Sequence, residues 1–279
     1  MTDQPNPGMV PLTKTPELHE SGDFRLRFQS LRVILALLVR EMITTFGRSR
    51  LGYLWAVLEP VGGIVVLTLG FSILFKQPPV GTSFSLFYAT GFIPFACYTN
   101  SYAQIATALK ANRMLLFYPA VTFMDVIFAR LILLIMTQFT VAFLVFTGIV
   151  LLEDTGSQID FGRAVGSLLM AVGIGTGIGL INAVLFEMAP SWQNLWSILN
   201  RPIFFLSCVF YSFDAMPEQV QVFLWWNPLV HVVGEMRMAF YPEYQGDYLS
   251  PLYVVCLMML LITIGLLNMR AMRKFIMNN

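Results

Sequence analysis

Charge is what this sequence has least of. Of its 279 residues, 12% are Asp, Glu, Lys or Arg and 57% are hydrophobic, whereas soluble domains carry about 25% charged residues. A soluble protein of this size needs far more charge to cover its surface, so most of this surface faces something other than water. The net charge of +1 lacks the basic excess of a nucleic-acid binder, which excludes nucleic acid as a partner. Cysteine is sparse too: Cys97, Cys208 and Cys256 all fall in apolar runs. An odd number with no C-x-x-C spacing supplies neither a disulfide framework nor a zinc site. None of Lys14, Lys76, Lys110 and Lys274 follows a glycine, whereas a P-loop requires Gly-Lys followed by Ser or Thr. No cofactor is therefore expected on this chain, and any ATP hydrolysis belongs to a partner. The only histidines are His19 and His231. His231 and Glu235, four apart, lack the second histidine that would make them a metal pair, and a hydrogen-bonded structural role is expected for His231. Carboxylates are scattered singly with no legible nucleophile–base pair, so catalysis has no support. Residues 1–24 are polar and proline-rich, with no apolar core for a signal peptide, and predict a disordered, uncleaved tail.

What the sequence has in quantity is charge-free apolar stretch. A membrane helix needs about 20 such residues, and bare charges inside it are costly. Runs at 60–75, from about 84 to 109, at 131–152, 164–186 and 248–269 predict five spans. A sixth is less clean. Residues 202–213 amount to about 18 Å of helix, too little for a hydrocarbon core of about 30 Å. That helix must begin near 192–195, which puts Arg201 at membrane depth. Residues 219–234 are apolar but interrupted by Asn227, Pro228 and His231, too short and polar to span. They suit a re-entrant pair of half-helices within a segment of about 214–247. The predicted fold is an all-α integral membrane protein of six transmembrane helices occupying residues 51–279.

Basic residues orient it. With the N-terminus inside, thirteen of them lie on the cytoplasmic side, and only Lys76, Arg163 and Arg237 lie outside. Both termini are thus expected in the cytoplasm. Within residues 25–50, Phe28, Leu31, Leu35, Leu38, Met42 and Phe46 share one helical arc, and Arg25, Arg32 and Arg40 share another. This pattern predicts an amphipathic helix in the inner interface, with Leu37 and Ile43 falling on its polar side.

In the fourth span, Gly173 and Gly177 form one pair four apart, and Gly175 and Gly179 another. At 100° per residue the pairs lie on opposite faces, so this helix should pack closely on two sides. Arg201, Glu59 and Glu187 are the charges at or near membrane depth. They either pair with one another or snorkel, or else Arg201 meets a charged substrate on a water path. Aromatics reach 14%, some as interfacial belt residues. Aromatic faces also stack on sugar rings, which makes Tyr98, Tyr102, Phe204 and Tyr211, with Arg201, candidate path residues.

Three segments carry a family resemblance. REMITTFGRSRLGYLWAVLEP (residues 40–60) resembles the approach to the first span of polysaccharide-export ABC permeases, closest to their capsule branch. NRMLLFYPAVTFMDVIFAR (residues 112–130) is similar to their cytoplasmic turn after the second span, and LWWNPLVHVVGEMR (residues 224–237) to their outer re-entrant segment. The resemblance implies a homodimer of six-helix subunits in the bacterial inner membrane, bound to two copies of an ATP-binding subunit that holds ATP and Mg. It further implies a lipid-linked capsular polysaccharide as cargo, with a periplasmic adaptor and an outer-membrane polysaccharide channel beyond. It makes Arg113, Met114, Leu115, Leu116 and Phe117 candidates for ATPase coupling, and Trp225, Trp226, Asn227, Pro228 and His231 candidates for an outer gate. Export of O-antigen or teichoic-acid glycan is the rival within transport. A membrane-embedded transferase is the rival outside it, though clustered carboxylates or histidines are missing.

Overall fold

A computed structural model describes residues 22–46, 52–118, 121–153 and 158–271. Among these the chain is wholly helical: α1 (Gly22–Phe46), α2 (Gly52–Leu74), α3 (Phe84–Ala111), α4 (Phe123–Leu152), α5 (Phe161–Met188), α6 (Pro190–Leu206), α7 (Glu218–Trp225), α8 (Pro228–Phe240) and α9 (Pro251–Ala271). Tight 3-10 turns occupy Arg113–Phe117 and Phe213–Ala215. Four helices, α2, α4, α5 and α9, are long and apolar enough to cross a membrane. At 28 residues α3 has the length, about 42 Å, but carries Thr99, Asn100, Ser101 and Gln104 mid-helix. With 17 residues α6 reaches about 25 Å. The tail expected over 1–24 lies outside the described residues save for its last three, which begin α1.

Local chemistry sets these boundaries and moves some of those expected from charge alone. The first span was expected from residue 60, yet α2 already runs from Gly52 through Pro60; proline removes one backbone hydrogen bond without ending the helix. α4 starts at Phe123 rather than 131. There the Thr122 hydroxyl caps the Asp125 amide while the Asp125 carboxylate accepts from the Thr122 amide, a reciprocal capping box. The Ser83 and Asp160 side chains cap α3 and α5 by accepting from the Leu86 and Arg163 amides.

α5 forms the centre, between α3 and α9. A methyl placed on Gly175 would lie 2.6 Å from Ser101 Cβ, and one on Gly179 2.8 Å from Ile105 Cβ, both on α3. A methyl on Gly177 would lie 2.6 Å from Leu261 Cβ on α9, and Gly173 faces the Met258 thioether there. The two glycine pairs therefore do work on opposite faces, bringing two neighbours close to one backbone.

α1 lies along α4, and its buried stripe differs from the expected arc. Leu37 and Glu41 are buried, and Val33, Ile34 and Leu38 pack with them toward Ala108, Val126 and Ala129. Leu35 and Met42 stay exposed. Leu37 leaves the polar side because α1 has a helix beside it, not only an interface beneath it. α2 and α6 are peripheral: only Asn200 of α6 is buried.

Candidate functional site

At the α1 end of the molecule, the α3–α4 turn is fixed by a polar knot. Asn112 closes α3 by returning its backbone N–H to Ala108 and Leu109. Its side chain accepts from Arg40 Nη1 at 2.6 Å and donates to Glu41 Oε1 at 2.6 Å. The other Glu41 oxygen takes a charge-assisted bond and ion pair from Arg130 of α4. Glu41 and Asn112 are both buried, so each charge in the knot has a partner, as burial demands. The knot ties α1, α3 and α4 together where the 3-10 turn Arg113–Phe117 projects.

That turn divides the five coupling candidates. Met114 is 79% exposed and Arg113 is exposed. Leu115 and Leu116 are half-buried, packed beneath against the α1–α4 contact. The Phe117 side chain lies outside the described residues.

At the opposite end, α6 stops earlier than the apolar run to 213 implies. It ends at Leu206, and Cys208 takes a left-handed φ of 55°, a conformation that interrupts a helix. The freed carbonyls are taken up by a residue counted from sequence among the outer-side basic residues. Arg237 of α8 is fully buried. Its Nη1 donates to the Tyr211 carbonyl at 2.9 Å, and its Nη2 to those of Cys208 and Val209 at 2.6 and 3.3 Å. Its guanidinium lies 4.3 Å from the Phe87 ring centre, a cation–π contact. Gly91 of α3 makes room, since a methyl there would sit 2.9 Å from the Val209 carbonyl oxygen.

The five gate candidates gather around this break. Asn227 caps α8 through the Leu229 amide at 3.1 Å and donates to the Leu206 carbonyl at 3.0 Å; Pro228 opens α8. Trp225 donates to the Tyr248 carbonyl at 3.0 Å and stacks on Tyr253. Trp226 is exposed. The His231 Nδ1 accepts from the Ser250 amide at 3.2 Å, which leaves Nε2 to donate to the Trp225 carbonyl at 2.8 Å. Both ring nitrogens are thus engaged by protein. No group of three metal-ligating side chains occurs among the described residues. Glu235 pairs with Arg163 at 3.4 Å. On the loop beyond, burial pushes the Tyr241 phenol above its ordinary range, and its ring covers Gly81 at a positive φ of 72°.

The path candidates separate by depth. Tyr98 is buried and donates to Asn200 Oδ1 at 3.0 Å, and Asn200 Nδ2 donates to the Tyr102 hydroxyl at 2.9 Å. This ladder fastens α6 to α3. Phe204 is half-buried, 4.8 Å from Phe95 and 4.7 Å from Phe210 between ring centres. The Tyr211 hydroxyl donates back to the Phe205 carbonyl. Arg201 is exposed beside Asn200 and makes no ion pair among the described residues, with neither Glu59 nor Glu187.

Long apolar helices stacked on a glycine-faced central one, with an anchored turn at one end and a broken helix at the other, define a multi-pass helical membrane protein. Residues 32–241 match the ABC-2 type transporter family of membrane proteins, and the chain belongs to that family. Among curated relatives, it is 32% identical to the polysialic acid transport protein KpsM of Escherichia coli, over 83% of this chain and 90% of the relative. It is 28% identical to the capsule polysaccharide export inner-membrane protein CtrC of Neisseria meningitidis over 90% and 94%. It is 25% identical to the capsule polysaccharide export inner-membrane protein BexB of Haemophilus influenzae over 87% and 92%.

Proposed function

We propose that this chain is the membrane-spanning subunit of an ATP-driven exporter that moves lipid-linked capsular polysaccharide across the bacterial inner membrane. The observation that carries this reading is membership of the ABC-2 family together with near-full-length similarity to transport proteins named for polysialic acid and capsule polysaccharide. On this reading α2, α3, α4, α5, α6 and α9 are the six spans, and α7–α8 is the re-entrant outer segment. Both termini are cytoplasmic. Two features of α3 support its assignment: it is long enough to cross, and its polar mid-helix residues Thr99, Asn100 and Gln104 line a cleft between helices. Arg201 on α6 and Glu59 on α2 are exposed on the single subunit. An arginine or a carboxylate facing lipid costs about 2.5–3.5 kcal/mol on insertion scales, which favours a second copy or a water path over lipid at those faces. The functional unit is therefore a homodimer with two ATP-binding subunits that hold ATP and Mg, docked at Met114 and its turn. A periplasmic adaptor and an outer-membrane channel complete the route.

The test is removal and reconstitution. Cells lacking the chain are expected to lose surface polysaccharide and to accumulate it inside. The purified chain is expected to co-purify with the ATP-binding subunit encoded beside it. Unchanged surface polysaccharide, with no associated ATPase, would overturn the reading.

A further inference from the structure

A cleft of about 360 Å³ opens between α2, α3, α4 and α6, walled by Glu59, Asn100, Gln104, Gln138, Phe95 and Phe204. It lies well inside the helices. Asn100 and Gln104 precede the end of α3 at Ala111 by about 16 and 10 Å, and Gln138 follows the start of α4 at Phe123 by about 22 Å, at 1.5 Å per residue. Polar side chains at such depth are costly unless they find partners. Yet among the described residues the side chains of Glu59, Asn100 and Gln104 make no hydrogen bond or ion pair. Gln138 accepts only a thiol contact from Cys97 at 3.5 Å. Each amide offers two donors and two acceptor lone pairs, so the cleft presents both kinds of group beside aromatic rings.

We propose that this cleft is a binding subsite for an uncharged glycosyl unit. The proposal rests on the polysaccharide-export reading and narrows it to one place and one ligand class. Carboxamides and a carboxylate match neighbouring hydroxyls, which both donate and accept, while Phe95 and Phe204 offer apolar faces to the C–H side of a sugar ring. No lysine, arginine or histidine lines the cleft. A phosphate or a sugar acid would meet Glu59 with no compensating cation, so this site selects hydroxyls. The anionic parts of an acidic polymer have Arg201 instead, three residues before Phe204 and about 60° round α6 from it.

The experiment uses the full transporter with its ATP-binding partner in lipid nanodiscs. Cys256 is exposed and is replaced by serine, and Asn100→Cys or Gln104→Cys then reports the cleft by its rate of maleimide labelling. Maltohexaose at about ten times its Kd is expected to slow labelling about tenfold, because protection grows as one plus the ratio of free ligand to Kd. An oligomer of a sugar acid and glycerol phosphate are expected to leave the rate unchanged. In cells, Asn100→Leu with Gln104→Leu should cut export about tenfold while the protein still assembles with its partner. Thr107→Val, on α3 outside the cleft, should keep export. Protection by glycerol phosphate alone would overturn the proposal in favour of a lipid headgroup. Equal labelling with and without maltohexaose, alongside normal export by the leucine variants, would overturn it while leaving polysaccharide export intact. Failure of the export reading itself would register separately, as unchanged surface polysaccharide in cells lacking the wild-type chain.

Discussion

Adding one methyl group at Gly175 should loosen the molecule, and adding the same group at Gly166 should tighten it. Glycine-to-alanine in a helix interior gains about 1 kcal/mol in intrinsic propensity. At Gly166 nothing lies within 4 Å of the new methyl, so that gain stands. At Gly175 the methyl would lie 2.6 Å from the Tyr98 carbonyl oxygen, 2.6 Å from Ser101 Cβ and 3.2 Å from the Tyr102 amide nitrogen. None of these is the far end of a flexible side chain, so α3 and α5 must separate. Overpacking of a tight contact costs about 1–3 kcal/mol. With backbone opposing the methyl the upper part of that range applies, for a net loss of about 1–2 kcal/mol. The two variants should then differ by about 2–3 kcal/mol in opposite directions. At about 2–4 °C per kcal/mol for a chain of this size, Tm values in detergent should separate by about 4–12 °C. Gly173→Ala should cost less than Gly175→Ala, because the Met258 side chain opposite it is flexible and gives way. A Gly175→Ala protein melting at or above Gly166→Ala would refute the close-contact argument.

Three further outcomes are expected. Met114→Asp should abolish co-purification with the ATP-binding subunit while leaving Tm within about 1 °C, because Met114 is 79% exposed; Leu116→Asp should lower Tm as well, since Leu116 supports the α1–α4 contact. Arg237→Gln should destabilise by about 3 kcal/mol, the worth of one or two charge-assisted bonds, and should make buried Cys208 reactive to maleimide, with Arg237→Lys intermediate; unchanged Cys208 labelling would show that Arg237 does not hold the break. Arg201→Gln should keep assembly and lower export several-fold, with Arg201→Lys retaining part, and adding Glu187→Gln or Glu59→Gln should not restore it; restored export would make Arg201 a structural ion-pair member.

The helical class and the two-faced packing of α5 were legible because both follow from periodicity, and the 100° step places Gly173 and Gly175 on different faces whatever surrounds them. The break after α6 was not. The charge-free, mostly apolar run continues from Phe204 to Phe213, and hydropathy does not register the left-handed turn at Cys208. Arg237 reads only as an outer-side charge because its partners are backbone carbonyls 26 to 29 positions away, which leave no mark on residue type. The Glu41–Arg130 pair was hidden in the same way, since 89 residues separate its members and each also suits an interfacial helix end. Leu37, which fell on the polar side of the arc read from sequence, lies on a second apolar face that α1 turns toward α4. The cleft escaped notice because its walls come from four helices, and Asn100 or Gln104 alone reads as a tolerated polar residue in a long span.

The glycine faces of α5 also decide where this protein yields. At Gly175, Gly177 and Gly179 the α5 backbone meets side-chain stems and backbone of α3 and α9 directly, and Met258 opposite Gly173 is the one adaptable side chain among these contacts, so those helices tend to shift together. α2, which is largely exposed, and α6, held by side chains such as Asn200, Trp192 and Phe204, have no such backbone contact. On the proposed export function, work delivered at the α3–α4 turn would travel along α3 as through a rod, and any widening would fall to α2 and α6.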